Sequence, residues 1–220
     1  MGLYLIETFP VGPLQCNCAI VADPTTREAV VVDPGDEPDR ILETLSGAGL
    51  KAVALVHTHA HFDHVGCSAL LKRITGAPIL MHESDLPLYE NLDEQGKAFG
   101  VSMDKPGSVD RLLVHGDRVA CGAGALQVLH TPGHTPGSLS FRMEGDEGDI
   151  LFSGDTLFRR SIGRTDLWGG SMEQILASIR NQLLTLPGDL RVIPGHGPDT
   201  TVAEEGRRNP FVGDASYIPA

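Results

Sequence analysis

Histidine and aspartate are concentrated in a few short segments of the chain, at spacings that suit metal binding. Residues 58–64 contain three histidines and one aspartate in the order His-x-His-x-Asp-His, and three single residues follow later, each after a glycine. Imidazole and carboxylate groups bind first-row transition metals, and the absence of thiolates argues against a closed structural zinc site. The candidate ligands are His59, His61, Asp63, His64, His134, Asp155 and His196.

The number and order of these residues indicate two metal ions. His59 and His61 alternate along the chain, so an extended loop can direct both toward one ion. Asp63 and His64 are adjacent and diverge, which suits a second ion beside the first. Seven ligands are too many for one tetrahedral metal and about right for two metals that share a bridging group.

Each group of candidate ligands follows an apolar stretch of strand length. These stretches are residues 52–56, 125–129, 150–152 and 190–193. Open α/β sheets bind ligands at the carboxyl ends of their strands, where loops lead away from the sheet. The sequence therefore predicts that four strand ends deliver the candidate ligands to one site.

The pattern of apolar residues in the rest of the chain predicts strands interrupted by helices, and this succession occurs twice along the chain. Further strands are predicted at residues 3–9, 18–21, 29–32, 78–81, 111–115, 118–120 and 138–143. Helices are predicted from Pro38 to about Gly47, on a segment with Ala69, Leu70 and Ile74, at residues 86–92, and from an N-cap at Ser171 to about Pro187. An acidic turn is predicted at residues 144–149 and a polar tail after residue 193. This order predicts an α/β fold with two mixed β-sheets face to face and helices outside, as one domain over residues 1–220.

The composition excludes several classes of function. Lysine plus arginine number 17 against 29 aspartates plus glutamates, and the formal charge of −12 disfavours binding to nucleic acid or anionic membranes. No apolar run approaches the ~20 residues that span a bilayer, and the first residues lack the pattern of a signal peptide. The four cysteines form no CxxC pair and are expected to be reduced. We therefore expect a cytoplasmic protein that acts on a small molecule, with no nucleic-acid or membrane partner.

Four segments of the chain together resemble the metallo-β-lactamase superfamily. They are Thr-His-Ala-His-Phe-Asp-His at residues 58–64, Thr-Pro-Gly-His-Thr-Pro-Gly-Ser at 131–138, Ser-Gly-Asp-Thr-Leu-Phe at 153–158 and Pro-Gly-His-Gly at 194–197. Residues 154–170, 194–198 and 207–211 are similar to the short bacterial glyoxalase II-like (hydroxyacylglutathione hydrolase-like) hydrolases. The resemblance covers about residues 3–210 and implies an αββα four-layer sandwich.

The resemblance also implies the arrangement of the metals and the reaction. The implied ligands are His59, His61 and His134 for one metal and Asp63, His64 and His196 for the other, with Asp155 as a bridge. The implied cofactors are two divalent metal ions, zinc first, with iron or manganese as alternatives. With Asp63 and Asp155 as catalytic residues, the implied activity is hydrolysis of a thioester such as S-2-hydroxyacylglutathione by a metal-bridging hydroxide.

Substrate binding departs from the longer glyoxalase II enzymes. Those enzymes hold glutathione with a C-terminal helical domain and with a Glu-Tyr pair after the last histidine ligand. This sequence has Gly197-Pro198 in place of that pair, and 24 residues follow His196 (220 − 196). Their glutathione contacts are therefore not carried over. Arg159, Arg160 and Arg164, on the loop after Asp155, are the predicted contacts to an anionic substrate, with solvated surface charges as the alternative.

Other functions remain open on the sequence alone. A mononuclear iron persulfide dioxygenase of the same fold shares Gly163-Arg164-Thr165-Asp166 and needs only His59, His134 and Asp155 as ligands. A β-lactamase is less favoured, and the acidic composition argues against a nuclease. A metal-binding protein without turnover is disfavoured because the ligand set is complete.

Several other residues have two interpretations. Asp33 either supports the His59 loop or caps a turn, and Trp168 either lines a pocket or anchors the core, with the core favoured. Four histidines lack metal-type spacing and are predicted to be structural. These are His57, His82, His115 and His130.

Overall fold

Apolar stretches form the two sheets of the fold. The computed structural model describes residues 4–145 and 149–214, so residue 3 of the first predicted strand and the middle of the predicted acidic turn lie outside the described residues. The first sheet contains β1 (Leu5–Val11), β2 (Cys16–Ala22), β3 (Glu28–Val32), β4 (Lys51–Val56), β5 (Ile79–Met81) and β6 (Arg111–Leu112), side by side in that order. Pairing is antiparallel from β1 to β3 and parallel from β3 to β6.

The second sheet is built from the later strands. Along the chain these are β7 (Arg118–Cys121), β8 (Gly124–His130), β9 (Leu139–Met143), β10 (Ile150–Gly154), a separate hairpin of β11 (Leu157–Phe158) and β12 (Ser161–Ile162), then β13 (Arg191–Pro194) and β14 (Thr200–Thr201). Across the sheet the order is β14-β13-β10-β9-β8-β7, and the pair β10 and β13 is parallel.

Helices cover the outer faces of both sheets. They are α1 (Pro38–Gly47), α2 (Phe62–Val65), α3 (Ser68–Thr75), α4 (Leu86–Glu90), α5 (Leu92–Ala98), α6 (Met172–Ser178) and α7 (Val202–Arg208). A π-helical turn at Ile179–Leu183 continues α6, and Ser171 Oγ caps α6 by accepting from the Gln174 amide, as predicted. Within residues 4–145 and 149–214, every helix is too short or too polar to cross a lipid bilayer.

Three apolar clusters show how the layers pack. One lies between the sheets and combines residues such as Val30 and Val56 of the first sheet with Phe141 and Phe152 of the second. The other two lie between each sheet and its helices. Burial of these faces is the main driving force for folding, and it confirms the predicted αββα four-layer sandwich.

The end of the described chain differs from the prediction. The segment after β13 is not simply a polar tail, because β14 and α7 follow it. Thr201 caps α7 by accepting from the Glu204 amide, at 3.2 Å, and the helix buries Glu205, whose carboxylate accepts from Asn209 Nδ2. A helix whose buried face includes a glutamate lacks the apolar periodicity that identifies helices in sequence. The strand predicted at residues 111–115 is also shorter, at Arg111–Leu112.

A pair of stacked histidines links the two sheets. His82 follows β5 and His130 ends β8, and their rings are nearly parallel with centroids 4.1 Å apart. Burial, and then the neighbouring His130, lower the pKa of His82 to about 4. A lowered pKa in the folded state means that the unfolded chain binds this proton more readily. The stack therefore favours the neutral form of His82.

The stack should make stability depend on pH. We expect the free energy of unfolding to fall as the pH drops below the ordinary histidine pKa of 6.5 and to level off below about 4. His82→Asn keeps an acceptor for the Ser84 amide, which lies 3.1 Å from His82 Nδ1. Thermal unfolding between pH 7 and pH 4 should show a shallower pH dependence for this variant than for the wild type. Parallel curves, measured at the same metal content, would contradict the interpretation.

Candidate metal centre

Four loops at strand ends bring the seven predicted ligands together. His59 and His61 follow β4 directly, and the one-turn helix α2 within the predicted histidine-rich loop carries Asp63 and His64. The loops after β8, β10 and β13 contribute one ligand each. These are His134, Asp155 and His196. The ligand atoms fall into three overlapping groups, and within each group all atoms lie within 4.8 Å of one another.

The first group contains the imidazoles of His59, His61 and His134. His134 Nε2 lies 2.9 Å from His61 Nδ1. Burial, and then the neighbouring imidazoles, lower the pKa of His59 well below its usual value and that of His61 to about 3. Both rings are therefore neutral at physiological pH, which is the form that binds metals.

The second group contains Asp63, His64 and His196. His64 Nε2 lies 3.2 Å from His196 Nε2, and His196 Nε2 lies 3.3 Å from Asp63 Oδ2. Asp155 stands between the two groups. Its Oδ1 is 3.5 Å from His64 Nε2, and its Oδ2 is 3.5 Å from His134 Nε2.

Hydrogen bonds around the rings fix the nitrogen atoms that face the centre. Nδ1 of His134 lies 2.8 Å from the Arg164 carbonyl, Nδ1 of His196 lies 3.0 Å from the Leu14 carbonyl, and Nδ1 of His64 lies 3.0 Å from Asp33 Oδ2. These oxygens accept a hydrogen bond from Nδ1, so each ring turns Nε2 toward the centre.

This arrangement fits bound cations. Nε2 of His64 and Nε2 of His196 face each other at 3.2 Å, so both can bind one cation. His59 Nε2 and Asp155 Oδ1 are buried without a protein hydrogen-bond partner. Buried polar atoms are normally paired, so these atoms point to a missing ligand. Imidazoles and carboxylates at this density suit divalent metal ions.

Asp33 forms hydrogen bonds to His64 and to the residue that precedes His59. It is buried, and its carboxylate accepts from the Thr58 amide at 2.7 Å and from Thr58 Oγ1 at 2.6 Å, besides facing His64. The first of the two interpretations of Asp33 is therefore correct. Two glycines allow the backbone to lie close to the ligand residues. A Cβ on Gly35 would lie 1.5 Å from the Asp63 carbonyl oxygen, and one on Gly195 would lie 2.2 Å from Asp155 Oδ1.

Two supporting residues were missed by the sequence analysis. Asp85 is buried and accepts from the amides of Ala60 and Gly137, at 3.0 and 2.7 Å, and from Thr135 Oγ1 at 2.9 Å. It thereby ties the His59–His61 loop to the His134 loop, and burial raises its pKa. Gln95 donates to the Ala60 carbonyl and accepts from the Phe62 amide, both at 3.1 Å. Neither residue belongs to a recognisable motif, so the sequence carries no signal for either.

The loop that carries His196 is hydrogen-bonded to β2, which lies much earlier in the chain. The Asn17 amide of β2 donates to the Gly195 carbonyl at 2.8 Å. Its side chain donates to the carbonyls of Pro194 and Gly197, both at 2.9 Å. Three hydrogen bonds from one residue therefore fix the loop that carries His196.

A cleft of about 460 Å³ opens above the ligands. Its lining combines ligand side chains with an apolar rim, namely Leu14, His61, Phe62, Asp63, Leu88, Gln95, Ala98, Phe99, His134, Asp155, Arg164, Leu167, Trp168 and His196. Trp168 is 56% exposed, so the favoured prediction of a core anchor was wrong and this residue forms part of the cleft wall. Its position in a glycine-flanked loop, away from the packed faces of the sheets, explains the exposure.

The three arginines predicted to contact substrate occupy different places. Arg164 lines the cleft, where its guanidinium pairs with Asp166 through two contacts of 2.8 Å. Arg160 instead pairs with Glu204 at 2.7 Å, and Arg159 lines a shallow surface depression with Glu204. Arg159 and Arg160 are not among the residues that line the cleft.

Comparisons with known proteins agree with this geometry. The family model described as "Metallo-beta-lactamase superfamily" matches residues 11–196. The chain is 38% identical to "Hydroxyacylglutathione hydrolase GloC" of Haemophilus influenzae over 213 residues, which cover 96% of this chain and 99% of that protein. Among solved structures, the BLEG-1 B3 metallo-beta-lactamase is 37% identical with a TM-score of 0.87, over 94% of this chain and 99% of the other. TTHA1623 in a di-iron-bound form is 43% identical with a TM-score of 0.84, over 93% of this chain and 99% of the other.

Proposed function

The chain belongs to the metallo-β-lactamase superfamily, and on that premise we propose that it is a dinuclear metallohydrolase that cleaves a thioester such as S-2-hydroxyacylglutathione. The observation that carries this proposal is the complete set of seven ligand side chains, whose lone pairs converge at the floor of an open cleft. The hydrolase name of the similar Haemophilus protein supports the same reaction class.

The proposed roles follow from the two ligand groups. His59, His61 and His134 would hold one metal ion, Asp63, His64 and His196 the second, and Asp155 both. Such ions would supply a hydroxide near neutral pH and would stabilise the negative charge that develops on the attacked carbonyl. Asp63 and Asp155 act as ligands at the reacting atoms, and neither is free to serve as a separate general base. A thiolate is a good leaving group, so no acidic side chain is required beside it.

The other proposals concern the metal, the substrate and the compartment. We propose zinc as the metal, with iron or manganese as alternatives. The di-iron-bound form of the similar TTHA1623 supports iron as an alternative. The proposed partner is a small-molecule thioester and neither nucleic acid nor membrane, because the chain carries a formal charge of −12. The four cysteines are buried and unpaired, which supports a reducing, cytoplasmic compartment.

Metal analysis combined with a hydrolysis assay tests the proposal. Two metal ions per chain, together with hydrolysis of S-lactoylglutathione, are the expected result. One iron per chain with oxygen uptake on glutathione persulfide would instead support the persulfide dioxygenase, which needs only His59, His134 and Asp155. Two bound metals without hydrolysis of any thioester would contradict the proposed substrate class.

We expect activity on glutathione thioesters to be limited by binding rather than by chemistry. The ligand set is complete, but Arg164 is the one arginine or lysine among the described residues that line the cleft, and Asp166 already pairs with it. Loss of binding that is equal in ground and transition states raises KM and leaves kcat nearly unchanged. Steady-state hydrolysis of S-lactoylglutathione should give a KM near the upper end of the usual range, about 1 mM. Saturation at low micromolar substrate would contradict this expectation.

A further inference from the structure

A second groove adjoins the cleft on the side of Asp63. It has a volume of about 340 Å³ and shares four lining residues with the cleft, so the two spaces lie side by side. The shared residues are Leu14, Phe62, Asp63 and Phe99. The predicted substrate contacts all lie elsewhere, and neither the proposed metal sites nor the reaction assigns a role to this groove.

Residues 99–104 form the outer wall of the groove and pack closely against the neighbouring helices. A Cβ on Gly96 would lie 2.4 Å from Met103 Cγ, and one on Gly66 would lie 3.0 Å from Met103 Cε. Glycine at these two positions therefore lets the segment pack closely on α5 and the end of α2. Val101 and Met103 also pack against the apolar cluster between the first sheet and its helices. The groove is thus part of the packed fold.

The lining of the groove is apolar with a negative edge. Its walls include Val11, Leu70, Val101 and Met103, and its floor includes the buried ring of Phe62. Besides Asp63, the carboxylates of Asp36 and Asp104 border it, whereas no lysine, arginine or histidine occurs among the described residues that line it. Such a surface favours an uncharged apolar group and repels a carboxylate.

The cleft also has an apolar rim, but it contains Arg164, whereas no lysine or arginine occurs among the described residues that line the groove. An anionic thiol portion of a thioester is therefore better placed in the cleft than in the groove. A thioester whose carbonyl sits at the ligands extends in two directions from the reacting carbon. We propose that the groove is the acyl subsite and that it accepts an uncharged, largely apolar acyl chain. This inference rests on the proposed thioester hydrolysis and deepens it by naming the acyl class.

A series of acyl groups on one thiol tests the proposal. Acetyl, butanoyl, hexanoyl and octanoyl thioesters of glutathione should be hydrolysed with rising kcat/KM, because each buried methylene corresponds to about a fourfold gain at most. We expect octanoyl to exceed acetyl by at least about tenfold. Ser102→Phe, at an exposed position on the groove wall, should lower this ratio, whereas Val114→Phe, on an exposed site away from both spaces, should not. A ratio near one, or one that Ser102→Phe leaves unchanged, overturns the proposal.

The negative edge provides an independent test. Asp104→Lys should raise kcat/KM for an acyl chain that ends in a carboxylate, relative to an uncharged chain of equal length, by about fivefold. Glu173→Lys makes the same change of charge on α6 and serves as the matched control. An equal effect of the two variants would mean that net charge, and not the groove, controls the preference.

Binding can be followed without turnover because the chain contains a single tryptophan, Trp168, in the wall of the cleft. S-octylglutathione, a thioether that cannot be hydrolysed, should change its fluorescence at a lower concentration than S-methylglutathione does. Ser102→Phe should reduce this difference. Equal affinities, or no binding of either thioether, overturn the acyl subsite. Absence of thioester hydrolysis alongside tighter binding of the octyl compound would instead contradict only the proposed reaction.

Discussion

Asp155→Ala is expected to release both metal ions together and to lower kcat/KM by about 10³-fold or more. The reason is its position, since one carboxylate oxygen is 3.5 Å from His64 Nε2 and the other 3.5 Å from His134 Nε2. No other aspartate or glutamate among the described residues stands in the same way between the two ligand groups. Metal content per chain and steady-state thioester hydrolysis measure the two effects.

His196→Ala is the matched comparison. Its imidazole belongs to the group with Asp63 and His64, so its loss should mainly weaken the second metal and leave the first in place. Circular dichroism of both variants establishes that the fold is retained. An Asp155→Ala protein that still holds two metal ions per chain would contradict the bridging role.

Asp85→Asn should be the most damaging change outside the ligand set. The asparagine side chain has one acceptor oxygen where the carboxylate of Asp85 has two. A buried donor among Ala60, Thr135 and Gly137 is therefore left unpaired. Leaving such donors unpaired costs about 3 kcal/mol, or about 6–12 °C in Tm for a chain of this size. Because the affected amides adjoin His59, His61 and His134, metal affinity should fall by about 10- to 100-fold.

A second carboxylate separates the two effects. Asp110 accepts from the Ile79 amide at 2.8 Å and from Lys72, but its side chain makes no hydrogen bond or ion pair to a ligand loop among the described residues, and it is partly exposed. Asp110→Asn should lower Tm without changing metal affinity. Asp85→Asn with normal metal affinity would mean that the residue stabilises the fold but does not position the ligands.

The structure brings together the side chains that the sequence predicted as ligands, and the features that mark these side chains in the sequence are local. Each group follows an apolar strand, and the three single residues His134, Asp155 and His196 each follow a glycine, so these features can be recognised without the rest of the fold. The four-layer arrangement was predictable for the same reason, since continuous apolar stretches such as the one before His59 form strands buried on both faces. In these places local propensity and tertiary structure agree.

The prediction failed where tertiary contacts determine the structure. Glu205 lies in the buried face of α7 because Asn209 and the Arg160 amide satisfy its carboxylate, and no periodicity reveals such partners. Asp85 is an isolated polar residue in sequence that becomes the link between two ligand loops. Trp168 was assigned to the core from its size, although its loop extends over the cleft. Each error concerns a residue whose surroundings are determined by the folded structure and not by a sequence motif.

The hydrogen bonds from Asn17 to the His196 loop join positions 180 residues apart. On the ribosome, β2 emerges long before its partner exists, and at about 5–20 residues per second the delay is roughly 10–40 s. During this interval the cluster at residues 58–64 is present without the loop that completes the second ligand group. With two metal ions bound as proposed, occupation of the second ligand group has to follow synthesis of residue 196, and a nascent chain stalled before that residue should hold no more than one ion.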